Sequence, residues 1–318
     1  MTEMKIKAIA PWFGGKRTLA PIIAKELGNH SAYFEPFCGS MAVLFAKEPS
    51  QKETVCDLHV DLTNLARVIA DEHLAERLYH RLGSTLFSED FLQQAGRELE
   101  SSPLIDSSAE ETSQGLAEHR AYWYFLASWM GRNGTAGTAR EEYQIAVRWT
   151  KGGGSPTIRW RNAVESLPWW HQRLANVVIL TRDAFCILDR FEDVETTALY
   201  IDSPYLLDTR SGTEKSSRYK HDFDELVQDP RDSEKMIDKH ELLALMLQKY
   251  TRARIVVSYY EHPRLHELYA GWTFIDHLTI KRLHTQNGRG ERVQAAPEVL
   301  IINGPSYAAK QAAEATLF

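Results

Sequence analysis

Short apolar runs that stop on polar turns and alternate with helical stretches leave a chain of this kind few folds to choose from. "AYFEPF" (32–37) runs through "CGS" into the helical "MAVLFAKE", and "TVCD" (54–57) precedes the helical "LTNLARVIA" (62–70). The alternation resumes with "NVVILT" (176–181), the short helical "AFCILDRF" and "TALYID" (197–202). A polar segment (206–237) leads to a helix beginning near "DKHELLALMLQKY", then to "RIVVSYY" (254–260), "TFIDHLTI" (273–280) and "EVLIING" (298–304). In that helix Leu243, Met246, Leu247 and Tyr250 share one face, and Asp238 with Glu241 forms a capping-box pattern. Seven strands with helices between them predict an open, doubly wound α/β sheet. Such sheets take ligands beyond the carboxyl ends of their strands, where Glu35, Asp57 and Asp202 fall.

Between residues 71 and 168 the alternation breaks down. A polar stretch, "SSPLIDSSAEETSQG" (101–115), precedes the aromatic "HRAYWYFLASWM" and the glycine-rich "GRNGTAGTAR" and "KGGGSPT". This predicts an insertion with a small core of its own, so that residues 1–70 and 169–318 form one discontinuous domain and 71–168 a second. The net charge of −6 hides an asymmetry. From Arg120 to Arg182, nine basic residues face three acidic ones, and six of the eight tryptophans lie in the same stretch. Basic residues interleaved with aromatics suit phosphate contact and base stacking. A tryptophan-rich core with a solvated basic face accounts for the same composition. Cys38, Cys56 and Cys186 are sparse, odd in number and without metal-ligand spacing, which points to a reducing, cytoplasmic setting. "MTEMKIKAIAPWF" lacks the apolar core of a signal peptide, and no run approaches membrane-spanning length.

Four segments carry chemistry. "PWFGGKRTL" (11–19) is not a phosphate loop, because Ala10 stands where the first glycine of that pattern is needed. Gly14 and Gly15 still allow close backbone approach, with Trp12 and Lys16 supplying a flat face and a charge. "FEPFCGSMAVLF" (34–45) is a strand, a tight turn at Gly39 and a helix start, the place where such sheets cradle a nucleotide-like molecule, though without a dinucleotide fingerprint. Asp57 can accept hydrogen bonds from a ribose, or cap the following helix. "LYIDSPYL" (199–206) ends an apolar strand on Asp202, Ser203, Pro204 and Tyr205. An exocyclic base amine is a poor nucleophile, and a carboxylate plus the Ser203 carbonyl could accept its two N–H groups. Pro204 would fix the turn and Tyr205 could stack on the ring of a base extruded from its duplex.

Taken in order, "PWFGGK", "FEPFCGS", "CDLHVDL" and "LYIDSPY" resemble the motifs of the Dam-like DNA N6-adenine methyltransferases, with weaker similarity reaching residue 304. The resemblance implies a Rossmann-like seven-stranded sheet with an inserted, mainly helical target-recognition domain, S-adenosylmethionine as methyl donor, and double-stranded DNA as partner. It places Trp12 and Lys16 at the methionine end of the donor, Glu35, Phe37 and Gly39 in the first-strand cradle, Asp57 on the ribose, and Asp183 and Phe185 beside the donor's adenine, with Asp202 also among the donor-binding residues. Asp202 to Tyr205 would hold the target base, and Arg132, Asn133, Arg148, Lys151 and Arg159 would meet DNA. No membrane or metal is implied, and a restriction endonuclease partner is not readable from the sequence. Ser203 replaces the first proline of the DPPY motif, and Met41 stands where many members have a second glycine. The rival readings are an N4-cytosine methyltransferase, a DNA-binding protein without catalysis, and an enzyme acting on RNA. A Cys38 nucleophile acting on cytosine has no supporting acid motif.

Overall fold

The computed structural model describes residues 4–12, 14–105, 114–131, 143–147, 154–206, 223, 225–279 and 296–308. All seven expected strands are present: β1 (Ala32–Glu35), β2 (Lys52–Cys56), β3 (Val177–Leu180), β4 (Thr197–Ile201), β7 (Arg254–Tyr260), β8 (Thr273–Thr279) and β9 (Ala296–Ile302). They form one sheet in the order β3-β2-β1-β4-β7-β9-β8, in which β9 alone runs antiparallel to its neighbours. The central strands β4 and β7 are buried along their whole length, as expected where helices cover both faces.

Side chains alternate between two cores, following the two-residue period of a strand. Tyr200, Val256 and Leu300 point to one face, whereas Ile201, Val257 and Ile301 point to the other. The first face is covered by α1 (Ala20–Leu27), α2 (Ala42–Ala46), α3 (Val60–Ala70), α4 (Glu72–Gly83), α5 (Glu89–Ser101), α6 (Gln114–Met130) and α7 (Pro156–Leu174). The second face is covered by α8 (Phe185–Leu188), α9 (Lys239–Leu247) and α10 (Pro263–Leu268). Leu243, Met246, Leu247 and Tyr250 enter this second core together, as their spacing predicts. Half of the capping box forms: the Asp238 side chain accepts the Glu241 N–H at 2.9 Å. The Glu241 carboxylate turns instead to Arg231, at 2.8 Å.

The described helices that follow α3, α4 to α7, share one apolar cluster with α1 to α3. α6 is buried all round from Arg120 to Met130, the mark of a helix passing through a core. Trp129 and Trp170 stack at 6.2 Å, and their indole N–H groups donate to the carbonyls of Ile9 and Ile6. α7 runs across residue 168, where the sequence placed a boundary. The glycine-rich stretches at 132–142 and 151–153 lie outside the described residues.

The polar segment after β4 contains a hairpin that the sequence reading did not separate from loop. It is formed by β5 (Leu226–Asp229) and β6 (Asp232–Asp238). Its turn is fastened by Asp229, whose Oδ1 accepts the Arg231 N–H at 2.8 Å. β6 is exposed at five successive positions, so it lacks the apolar alternation that marks a strand. Among the described residues no helix is long and apolar enough to cross a membrane.

Candidate active site

From β1 the chain steps outward to β2 and β3, and then returns to place β4 on the other side of β1. Loops leaving the carboxyl ends of β1 and β4 therefore diverge and open a crevice at this switch point. A solvent-open cleft of about 910 Å³ lies there. Trp12, Lys16, Glu35, Phe37, Gly39 and Asp57 line it, together with Asp202, Ser203 and Pro204. Of the third-strand residues, Arg182 and Ala184 reach the wall, whereas Asp183 and Phe185 stand just behind it. Asp183 Oδ1 accepts the Phe185 N–H at 2.9 Å, and the Phe185 ring lies 5.5 Å from that of Phe223, which does line the cleft.

The loop after β1 is stitched to the end of β2. Cys38 N–H donates to the Cys56 carbonyl at 2.9 Å, and Gly39 N–H donates to Asp57 Oδ2 at 2.8 Å. Asp57 Oδ1 accepts the His59 N–H at 2.9 Å, so the carboxylate braces the loop from both oxygens. The cap of α3 is His59 rather than Asp57, its ring nitrogen accepting the Leu62 N–H. Gly39 has φ +43°, and a Cβ there would lie 2.8 Å from the indole nitrogen of Trp12. Met41 has φ +61°, the left-handed region that glycine enters without strain. Its side chain belongs to the core cluster and leaves the cleft wall clear. The Cys38 thiol is pushed well above its ordinary pKa, first by burial and then by the charge of Asp57, which keeps it protonated and a poor nucleophile.

Two carboxyl groups face each other across the switch point. Glu35 is buried at the end of β1 and accepts the Tyr33 hydroxyl at 2.8 Å. Burial pushes its pKa up to about 8, so it is mainly protonated at neutral pH. Because the folded value lies above the ordinary 4.5, this group favours the fold fully below pH 4.5, and that contribution is lost as pH rises through about 8. Glu35→Gln is therefore expected to flatten the pH dependence of stability between about pH 5 and 8, by a few kcal/mol. Thermal melts of both proteins across that range, without ligand, measure the difference.

Asp202, at the end of β4, is held on one oxygen. Lys16 Nζ lies 3.0 Å from Oδ1, and the Ser258 hydroxyl donates to the same atom at 2.9 Å. Burial raises the Asp202 pKa against the opposing pull of Lys16 and Ser258. Lys16 also reaches the Gly14 carbonyl at 2.6 Å and Glu298 at 3.5 Å, and its side chain is only 4% exposed, against 20% for Asp202. Its ammonium sits 4.8 Å from the centre of the Tyr205 ring. Tyr205 is 4% exposed, packed edge-on against Tyr260 at 4.6 Å, and lies behind Lys16 rather than in the cleft wall. Ser258 and Glu298 were not picked out from the sequence. Each sits inside an apolar strand with no local sign that its polar group turns toward Asp202 or Lys16.

The basic, aromatic stretch is built into the fold more than laid over it. Arg120 pairs with Asp61, Arg173 pairs with Glu53, and Arg159 Nη2 donates to the carbonyls of Trp129 and Gly131 at the end of α6. Trp123, Trp129, Trp160 and Trp170 are core residues, so the tryptophan-rich core is the reading that holds for them. Arg132, Asn133, Arg148 and Lys151 lie outside the described residues.

Residues 12–270 match the family described as D12 class N6 adenine-specific DNA methyltransferase. No curated protein matches the chain.

Proposed function

The chain belongs to the D12 class of N6 adenine-specific DNA methyltransferases, and from that premise we propose that it methylates an adenine extruded from double-stranded DNA, using S-adenosylmethionine as donor. S-adenosylmethionine would supply the activated methyl group. The residues present fit such a molecule. The cleft opens at the switch point where such sheets take ligands, its first-strand turn carries a glycine where a Cβ would press against Trp12, and Asp57 retains acceptor positions beyond the two backbone N–H groups it holds.

Asp57 would receive ribose hydroxyls, and Trp12, Phe37 and the Asp183–Phe185 turn would enclose the flat and apolar parts of the donor. Gly39→Ala combines strain at positive φ with a clash against Trp12. It is expected to weaken donor binding at least about tenfold, measured by titration calorimetry.

The observation that carries the proposal is the arrangement of Asp202. Lys16 and Ser258 both engage Oδ1, which leaves Oδ2 to accept one N–H of the adenine amine at the cleft. The Ser203 carbonyl would accept the other, and Pro204 would fix the turn that presents it. Drawing both protons toward acceptors would keep electron density on nitrogen, and the cleft would align it for direct, in-line attack on the methyl carbon with no covalent enzyme intermediate. The carbon–sulfur bond would break to leave a neutral thioether, and the amine would shed one proton by way of Asp202 to solvent. Lys16 would act through Asp202, fixing the carboxylate and balancing its charge. Arg132, Asn133, Arg148 and Lys151 remain the proposed DNA contacts, with Arg159 holding the end of α6 from which two of them follow. The free thiols fit a cytoplasmic enzyme. Sequencing DNA treated with the enzyme and donor, with modification read at single bases, tests the proposal. Modified adenines in one sequence context support it, and unmodified DNA refutes it.

A further inference from the structure

We propose that Ser203 is a positioning residue, whose hydroxyl replaces with a hydrogen bond the rigidity that a proline would give at the second position of the catalytic turn. This rests on the role assigned to Asp202. A proline fixes its own φ, whereas serine does not, and the turn between Asp202 and Pro204 has to present a carbonyl in one direction. Ser203 is 2% exposed, and its Oγ donates to the hydroxyl of Tyr259 on β7 at 2.8 Å. The Tyr259 oxygen lies 3.1 Å from Nδ1 of His240, which is buried at the start of α9. With Ser203 as donor, the Tyr259 oxygen joins the Ser203 hydroxyl to the His240 ring, and the roles in the second bond follow the tautomer of the imidazole.

Three elements are thus tied by one buried chain: the turn after β4, the strand β7 and the first turn of α9. Burying these groups unpaired would be costly, so a satisfied chain holds each member in a single arrangement. The chain also reaches aromatic residues of the cleft wall. The His240 ring meets Phe223 edge-on at 5.3 Å, and Phe223 in turn meets Phe37, after β1, at 5.7 Å. Ser203 is therefore linked through Tyr259 and His240 to Phe223 and Phe37, which line the same cleft.

The test is a double-mutant cycle of Ser203→Ala and Tyr259→Phe, with kcat, KM and donor affinity measured for each protein. Each single change is expected to lower kcat about five- to tenfold. Donor affinity and KM should stay within about twofold, and the double variant should be no slower than the slower single, because both changes cut the same chain. Ser203→Thr, which keeps the hydroxyl, should recover most of the rate. Wild-type kcat in either single variant, a loss confined to KM, or additive losses in the double variant would overturn the inference. Should Ser203→Ala fail to fold, Tyr259→Phe, which removes only one oxygen, decides alone. Asp202→Ala is run in parallel: if it stays active, the reading of the site fails, whereas an inactive Asp202→Ala beside a fully active Ser203→Ala overturns this inference only.

Discussion

Replacing Asp202 with alanine is expected to lower methyl transfer at least about 10³-fold, the scale on which positioned acid–base and charge-stabilising groups act. The expectation follows from where the carboxylate stands. It closes the fully buried strand β4 at the switch point of the sheet, and it is anchored on Oδ1 by Lys16 and Ser258. Donor affinity should change far less, by about tenfold at most, since the enclosing groups Trp12, Phe37, Gly39 and Asp57 are untouched. Quenching of tryptophan fluorescence on donor binding, with Trp12 at the cleft wall, reads affinity separately from turnover. A variant that binds donor as the parent does, yet transfers no methyl group, is the predicted phenotype.

Arg120→Met is expected to be the most destabilising single change in the helices α4 to α7. Arg120 is 1% exposed and donates from Nε and Nη2 to both oxygens of Asp61 on α3, at 2.7 and 3.0 Å. Nη1 donates to the carbonyls of Leu99, Ser102 and Pro103, where α5 ends. Methionine fills much of the volume but leaves Asp61 without its partner and three carbonyls without this donor. Removing one member of such a pair costs about 3–5 kcal/mol, or about 5–7 °C in the thermal midpoint for a protein of this size. Thermal melts measure it. A midpoint within about 2 °C of the parent would show that Arg120 is instead a surface cation, as its place in a basic stretch first implies.

That contrast shows what sequence alone can carry. The strands were legible because most are compact apolar runs with turn residues at their ends, and the central β4 and β7 are buried at every position. Asp202, Asp57 and Glu35 were legible for the same reason, since an acid that ends an apolar run falls at the carboxyl end of its strand. Arg120 and Arg173 were not, because nothing local separates a guanidinium paired across the fold with Asp61 or Glu53 from one facing solvent. The hairpin of β5 and β6 was missed because β6 exposes five successive residues and is held by its turn and by Ile237, not by alternation. Lys16 was picked out as a donor contact, and the structure sets it between Asp202 and Glu298, residues nearly two hundred and three hundred positions away. Partners so distant in sequence leave no local signal.

The central claim is that Asp202 and its turn hold an adenine amine for methylation. Incubating the protein with duplex DNA and S-adenosylmethionine carrying an isotopically labelled methyl group, then digesting the DNA to nucleosides for mass spectrometry, tests it most directly. The account predicts label in N6-methyladenine with the parent protein and none with Asp202→Ala. Label in N4-methylcytosine, equal incorporation by the two proteins, or no incorporation at all would contradict it.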